Sequence, residues 1–225
     1  MDFYGIQKTT LVDFPDTIAC VLFTGRCNFK CGFCYNKDLV LNPKKLPKIS
    51  EQEAIDFLIK KKKYLEGLVI SGGEPTLHKE LSSFIKKAKE IGYKIKLDTN
   101  GSNPEVLEKL FKEKLLDYVA MDIKSSEKNY EKACGVKIDF SNIKKSVSLI
   151  MNSGIDYEFR STIMPEFYSK KDAELIANEL IPNAKIYFLQ QFFPVETLID
   201  LSFSSKPRYS KEQALELKPI LEKKN

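Results

Sequence analysis

Ile18-Ala19-Cys20-Val21-Leu22-Phe23-Thr24-Gly25-Arg26-Cys27-Asn28-Phe29-Lys30-Cys31-Gly32-Phe33-Cys34-Tyr35-Asn36 begins as an apolar run and ends among thiols. The run Ile18–Phe23 has strand length and is apolar throughout, the pattern of a strand covered on both faces. It runs into a loop holding three of the chain's five cysteines, spaced C-x3-C-x2-C. Thiolates this close suit an iron–sulfur cluster or zinc. The apolar face of a helix would give similar spacing, but Gly25, Asn28 and Gly32 are poor helix formers. Three thiolates on a four-iron cubane leave one iron without a protein ligand, open to a substrate. A structural zinc site would need a fourth partner from Cys20, Cys134 or the single histidine, His78.

Strand and helix patterns then alternate along the chain. Leu68–Ser71, Tyr93–Asp98, Tyr118–Asp122, Asp156–Ile163 and Lys185–Gln190 read as strands. A capping box at Ser50–Glu53 opens a helix to about Lys63. Further helices are expected over Lys79–Ile91, Pro104–Lys114 with Asn103 as N-cap, Ser141–Asn152 and Lys171–Leu180, and a last one from Ser210. Residues 1–16 read as an irregular lead-in, 37–49 as loop, and the stretch after Asp122 as a polar segment. Six β–α units imply an α/β fold with a parallel sheet and right-handed crossovers. A full eight-fold barrel takes about 250 residues, so 225 residues predict a partial, open (β/α)6 barrel. No linker or composition shift divides residues 1–225, which read as a single domain.

Hydrophobic residues make up 43% of the chain and charged residues 30%, as in soluble globular proteins. The net charge of +5 comes from short lysine runs mixed with glutamates, which read as solvated helix faces. No basic stripe interleaved with aromatics supports nucleic-acid binding. The N-terminus lacks a signal peptide, apolar stretches are too short for a membrane span, and five cysteines without secretory context fit a reducing cytoplasm.

In parallel β–α folds, function collects where strands run into the following loops. That rim holds the cysteine loop, Ser71-Gly72-Gly73-Glu74-Pro75, Asp98-Thr99-Asn100-Gly101, Asp122-Ile123-Lys124, Arg160 and Gln190-Gln191. Taken alone, Gly72-Gly73 and Asn100-Gly101 are ordinary turn dipeptides, and Asp122 and Lys124 a surface pair. Glycines also let backbone approach a ligand closely, and Glu74 is placed to pair with an ammonium group. Cys20 reads as a core residue, Cys134 as a buried or idle thiol, and His78 as structural or exposed.

C-x3-C-x-aromatic-C, with Phe33 as the aromatic, resembles the signature of the radical S-adenosylmethionine (SAM) superfamily. Gly72-Gly73-Glu74-Pro75 is similar to that family's second motif. Leu97–Gly101 and Met121–Lys124 are similar to stretches of glycyl-radical-enzyme activases. The lead-in Gly5-x-x-Lys8-Thr9-Thr10-Leu11-Val12-Asp13-Phe14-Pro15 looks like that of anaerobic ribonucleoside-triphosphate reductase activating proteins, close to pyruvate formate-lyase activases.

The resemblance implies a [4Fe–4S] cluster on Cys27, Cys31 and Cys34, with SAM chelated to the open iron and cleaved by one electron to methionine and a 5′-deoxyadenosyl radical. It implies SAM contacts from Glu74, to the methionine ammonium, and from Asn100 and Lys124, with Tyr35 against adenine. Gly72, Gly73, Asp98, Asp122 and Arg160 complete the expected cofactor site, and Asp98, Thr99 and Asp122 are candidates for a monovalent cation beside the SAM carboxylate. The implied partner is a glycyl radical enzyme, most simply an anaerobic ribonucleotide reductase, with flavodoxin or ferredoxin as external electron donor. The histidine that some activases place near SAM after the last strand is replaced by Gln190-Gln191-Phe192. Two other classes stay open: a radical SAM enzyme acting on a small molecule or nucleoside, and a non-catalytic zinc or iron–sulfur protein that binds nucleic acid or transfers electrons.

Overall fold

The computed structural model describes residues 1–222. Its framework is one seven-stranded sheet whose strands lie side by side in chain order. They are β1 (Phe3–Thr10), β2 (Ala19–Thr24), β3 (Gly67–Gly72), β4 (Lys94–Thr99), β5 (Tyr118–Asp122), β6 (Asp156–Ile163) and β7 (Tyr187–Gln191). Strands β2 to β7 are parallel, and β1 runs antiparallel to β2. The outer strands β1 and β7 do not pair with each other, so the curved sheet is an open barrel. Helices α1 (Lys37–Leu41), α2 (Glu51–Lys61), α3 (Leu81–Ile91), α4 (Pro104–Lys112), α5 (Glu127–Cys134), α6 (Phe140–Met151), α7 (Lys170–Leu175), α8 (Lys211–Leu215) and α9 (Lys218–Glu222) complete the described chain.

Three expectations need correction. The lead-in is not irregular: β1 occupies most of it, making seven strands rather than six. Its pattern hides a strand because three consecutive residues, Gln7–Thr9, are exposed on an edge. Residues 37–49 contain α1 and a single 3-10 turn at Pro43–Lys45. The polar segment after β5 folds as α5, buries Tyr130, Ala133 and Cys134, and ends at Gly135 with φ of 71°. Its low hydrophobicity concealed a three-residue apolar face.

Elsewhere local rules hold. Ser50 and Glu53 form the reciprocal cap of α2, and Ser210 and Gln213 that of α8. Asn103 stands at the N-cap of α4 without capping it; its amide donates instead to Thr76 Oγ1 at 2.8 Å. Helix α3 buries Leu81, Phe84, Ile85 and Ala88 on one stripe. Each such large side chain contributes about 1.5–3 kcal/mol.

The period of two along the strands sorts side chains onto two faces. Leu68, Ile70, Ile95, Leu97, Val119, Met121, Tyr157 and Phe159 join the main core with the helices. The alternate positions face the barrel interior. Near its lower end, Phe14 from the β1–β2 loop packs with Val21, Val69 and Tyr118 and forms the floor. Above the floor the inward positions of β4 and β6 are charged: Lys96, Asp98, Glu158 and Arg160.

Candidate active site

The strand register sets the rim. Thr24 lies beside Gly72, Thr99 beside Met121, Asp122 beside Arg160 and Ile163 beside Gln191. A cavity of about 690 Å³ opens at these C-terminal ends. Cys27, Cys31 and Cys34 line it, together with Tyr35, Gly72, Gly73, Asp98, Asn100, Asp122, Lys124 and Arg160. Every expected site residue except Glu74 is therefore on one cavity. Phe29, Phe33, Phe193, Val195 and Ile199 supply apolar wall.

The cysteine loop is braced on several sides. The Lys30 N–H donates to Cys134 O at 2.8 Å. The Arg26 N–H donates to Leu39 O at 2.7 Å, and Arg26 O accepts from Glu74 N at 2.8 Å. After β7 the chain returns across the loop, with Asp200 N donating to Gly32 O at 3.0 Å and Ile199 N to Cys34 O at 3.3 Å. Tyr35 fastens this strap: its hydroxyl donates to Phe193 O at 2.9 Å and accepts from Phe193 N at 3.0 Å. Its ring stacks on Phe192 at 6.0 Å and 16°. Gly73 admits no side chain, since a Cβ there would lie 1.9 Å from Arg26 O. The close approach required of this glycine is to the cysteine loop itself.

Glu74 corrects the expectation of an ammonium contact. Its side chain is fully buried and lies outside the cavity lining. Oε1 accepts from Thr76 N (3.1 Å), Thr76 Oγ1 (2.6 Å) and Thr99 Oγ1 (2.8 Å), and Oε2 from Asn100 N (2.6 Å). Burial pushes its carboxyl above the ordinary range, against these hydrogen bonds. Glu74 ties the end of β3 to the end of β4. Glu74→Gln would turn one acceptor into a donor facing the donors that now converge there. The expected result is a loss of about 1–3 kcal/mol of stability, read from urea unfolding. A fall in SAM affinity with stability intact would restore Glu74 as a ligand contact.

Six charges meet above the floor, and composition gave no sign of Lys96 or Glu158 among them. Arg160 Nε lies 3.0 Å from Asp122 Oδ1, Nη2 3.6 Å from Asp98 Oδ2 and Nη1 3.6 Å from Glu158 Oε1. Lys96 Nζ lies 3.3 Å from Glu158 Oε1 and donates to Asp13 O at 2.5 Å. Lys124 Nζ lies 3.0 Å from Asp122 Oδ2. Burial would raise the Asp122 carboxyl, but Lys124 and Arg160 outweigh it and hold the group down at about 2.

The monovalent cation finds no ready site. The Arg160 guanidinium already bridges Asp98 and Asp122, and Thr99 Oγ1 is turned to Glu74. Asp98 Oδ1 is the one buried side-chain N or O without a hydrogen-bond partner among the described residues, with Lys96 Nζ 3.9 Å away.

The remaining thiols and the histidine lie outside the cavity lining. Cys20 and Cys134 are buried, and His78 Nε2 lies 2.9 Å from Gly25 O. Gln190 and Gln191 line the cavity, and Gln191 Nε2 also donates to Tyr209 O at 2.6 Å.

Residues 21–177 match the family model described as the radical SAM superfamily. The chain belongs to that superfamily. Radical SAM proteins use a [4Fe–4S] cluster and SAM, and the donor set here fits both: three thiols and the cations Lys124 and Arg160 line one cavity, with an unpaired carboxylate oxygen at Asp98. This radical SAM protein is 35% identical to a Methanocaldococcus jannaschii protein named as a candidate glycyl-radical enzyme activating enzyme, over 97% of this chain and 91% of that one. It is 30% identical to the Fe-coproporphyrin III synthase of Methanosarcina barkeri, over 74% of this chain and 42% of that one. Its fold matches Streptococcus suis SuiB bound to precursor peptide SuiA, with a TM-score of 0.66 at 16% identity, over 90% of this chain and 45% of that chain. Among the described residues no helix is long and apolar enough to cross a membrane.

Proposed function

We propose that this radical SAM protein activates a glycyl radical enzyme, removing a hydrogen atom from a backbone glycine of a larger protein in the cytoplasm. The partner in this reading is an anaerobic ribonucleoside-triphosphate reductase, and the electron donor a flavodoxin or ferredoxin. The observation that carries it is the Methanocaldococcus match, which spans nearly all of both chains. Cluster and SAM together supply the radical by one-electron cleavage; the protein supplies position and water exclusion. Cys27, Cys31 and Cys34 hold the iron. Lys124 and Arg160 would present cations to the SAM carboxylate, and Asp98 would help hold Arg160 in place. Tyr35, Gly72 and Gly73 border the adenosyl end, and Asp122 keeps Lys124 and Arg160 charged and in place. The sheet does not close between β1 and β7, and in this reading a polypeptide loop enters the cavity from that side.

Electron paramagnetic resonance on a mixture of enzyme, SAM, reductant and the reductase tests this. A glycyl doublet on the partner is expected, with about one 5′-deoxyadenosine per radical if SAM is a stoichiometric oxidant. A second reading, a small-molecule radical SAM enzyme, draws on the Methanosarcina porphyrin enzyme and on a cavity of about 690 Å³, within the size of ligand pockets. Rapid SAM cleavage coupled to a small molecule, with no partner present, would favour it and sink the first.

A further inference from the structure

We propose that Asn100 sets the reduction potential of the cluster through a hydrogen bond to the Cys27 sulfur and is not a SAM contact. The inference rests on the cluster, which the superfamily supplies, and not on the glycyl-radical reading.

Asn100 is 6% exposed and held by four hydrogen bonds through three atoms. Its backbone N–H donates to Glu74 Oε2 at 2.6 Å. Its side-chain Oδ1 accepts from the Ser102 N–H at 2.9 Å. A backbone N–H can only donate, so this bond fixes which end of the amide is oxygen. The Nδ2 hydrogens are thereby directed to Asn28 Oδ1 at 2.9 Å and Cys27 Sγ at 3.7 Å. Both donors and the oxygen are engaged within the protein, which leaves little for a SAM carboxylate.

Cys27 Sγ also accepts from the Phe29 N–H at 3.4 Å. Among the described residues no comparable donor faces the sulfur of Cys31 or Cys34. Cys27 is thus the one ligand position with two N–H groups aimed at it. Hydrogen bonds to ligand sulfur raise the potential of iron–sulfur clusters, because they stabilise the more negative, reduced state more than the oxidised one. The step affected is the transfer of one electron from the external donor; no bond forms or breaks. Asn100 is a positioning residue whose own position is set by Glu74, the same buried carboxylate that joins the ends of β3 and β4.

The test is a redox titration of the anaerobically reconstituted full chain, followed by electron paramagnetic resonance, for the wild type, Asn100→Asp and Asn100→Ala. Asn100→Asp keeps the oxygen that accepts from Ser102 and removes the donor to sulfur. Both variants should bind about four irons per chain. Their reduced-to-oxidised ratio at a fixed potential should fall about tenfold, equivalent to about 59 mV for a one-electron couple, and further in Asn100→Asp because a carboxylate repels the added electron. SAM affinity should stay within about threefold of wild type. Unchanged midpoints in both variants would overturn the proposal. Unchanged midpoints with weakened SAM binding would in addition return Asn100 to the SAM site. If neither variant retains iron, Asn100 is a structural residue of the loop and the proposal fails. None of these readouts requires a protein substrate, so they are independent of the activase assignment.

Discussion

Replacing any one of Cys27, Cys31 or Cys34 by Ala is expected to abolish iron binding, from about four irons per chain to none, and with it SAM cleavage. Two thiolates cannot hold a cubane that already lacks a fourth protein ligand, and no other cysteine lines the cavity. Cys20→Ala and Cys134→Ala should retain iron, since both thiols are buried in the main core. Burial pushes the free Cys27 thiol up to about 11 and the free Cys31 thiol up to about 12. Both are then protonated at neutral pH, so iron must displace their protons and loading should improve as pH rises. Metal analysis and visible absorbance after anaerobic reconstitution at several pH values check this. Tightly held stoichiometric zinc with no iron uptake would refute it.

Arg160→Met should cost about 3 kcal/mol at neutral pH, near the lower end for breaking a buried ion pair because water reaches Asp122. The change leaves Lys96 and Lys124 to face Asp98, Asp122 and Glu158, with the Lys96 and Glu158 side chains only 3% and 8% exposed. The pH sign follows from Asp122, whose carboxyl at about 2 lies below its ordinary value of 3.8. A depressed carboxyl stabilises the fold above the unfolded value and loses that contribution as pH falls toward the folded one. Removing Arg160 takes away one of its two cations, so the deficit should be largest near pH 7 and shrink as pH falls below about 4. Urea unfolding of the metal-free chain at several pH values measures it. A deficit independent of pH would assign the loss to packing alone.

The cysteine loop and the strand-end motifs were readable because each joins an unusual residue set to the end of an apolar run. The strands β4 and β6 were readable too, yet their meaning was missed. Lys94-Ile95-Lys96-Leu97-Asp98 and Asp156-Tyr157-Glu158-Phe159-Arg160 alternate strictly between polar and apolar residues, which is the signature of a strand with one polar face. Followed through, that period would have placed Lys96 and Glu158 beside Asp98 and Arg160. β1 escaped because an exposed edge strand carries little hydrophobic pattern, and α5 because only three of its residues are buried. The motifs gave the residue types of Glu74 and Asn100 but not their directions. These depend on Thr76, Thr99 and Ser102, which only the folded backbone brings together.

The cysteine loop answers to parts of the chain far from it in sequence. Arg26, Lys30, Gly32, Cys34 and Tyr35 are fastened by bonds to Leu39, Cys134, Asp200, Ile199 and Phe193. Tyr35 and Phe193 are 158 residues apart. The spacing of the three sulfurs is therefore a tertiary property and not one of the motif alone, and a substitution at Asp200 or Phe193, outside any motif, can move the cysteines through the backbone.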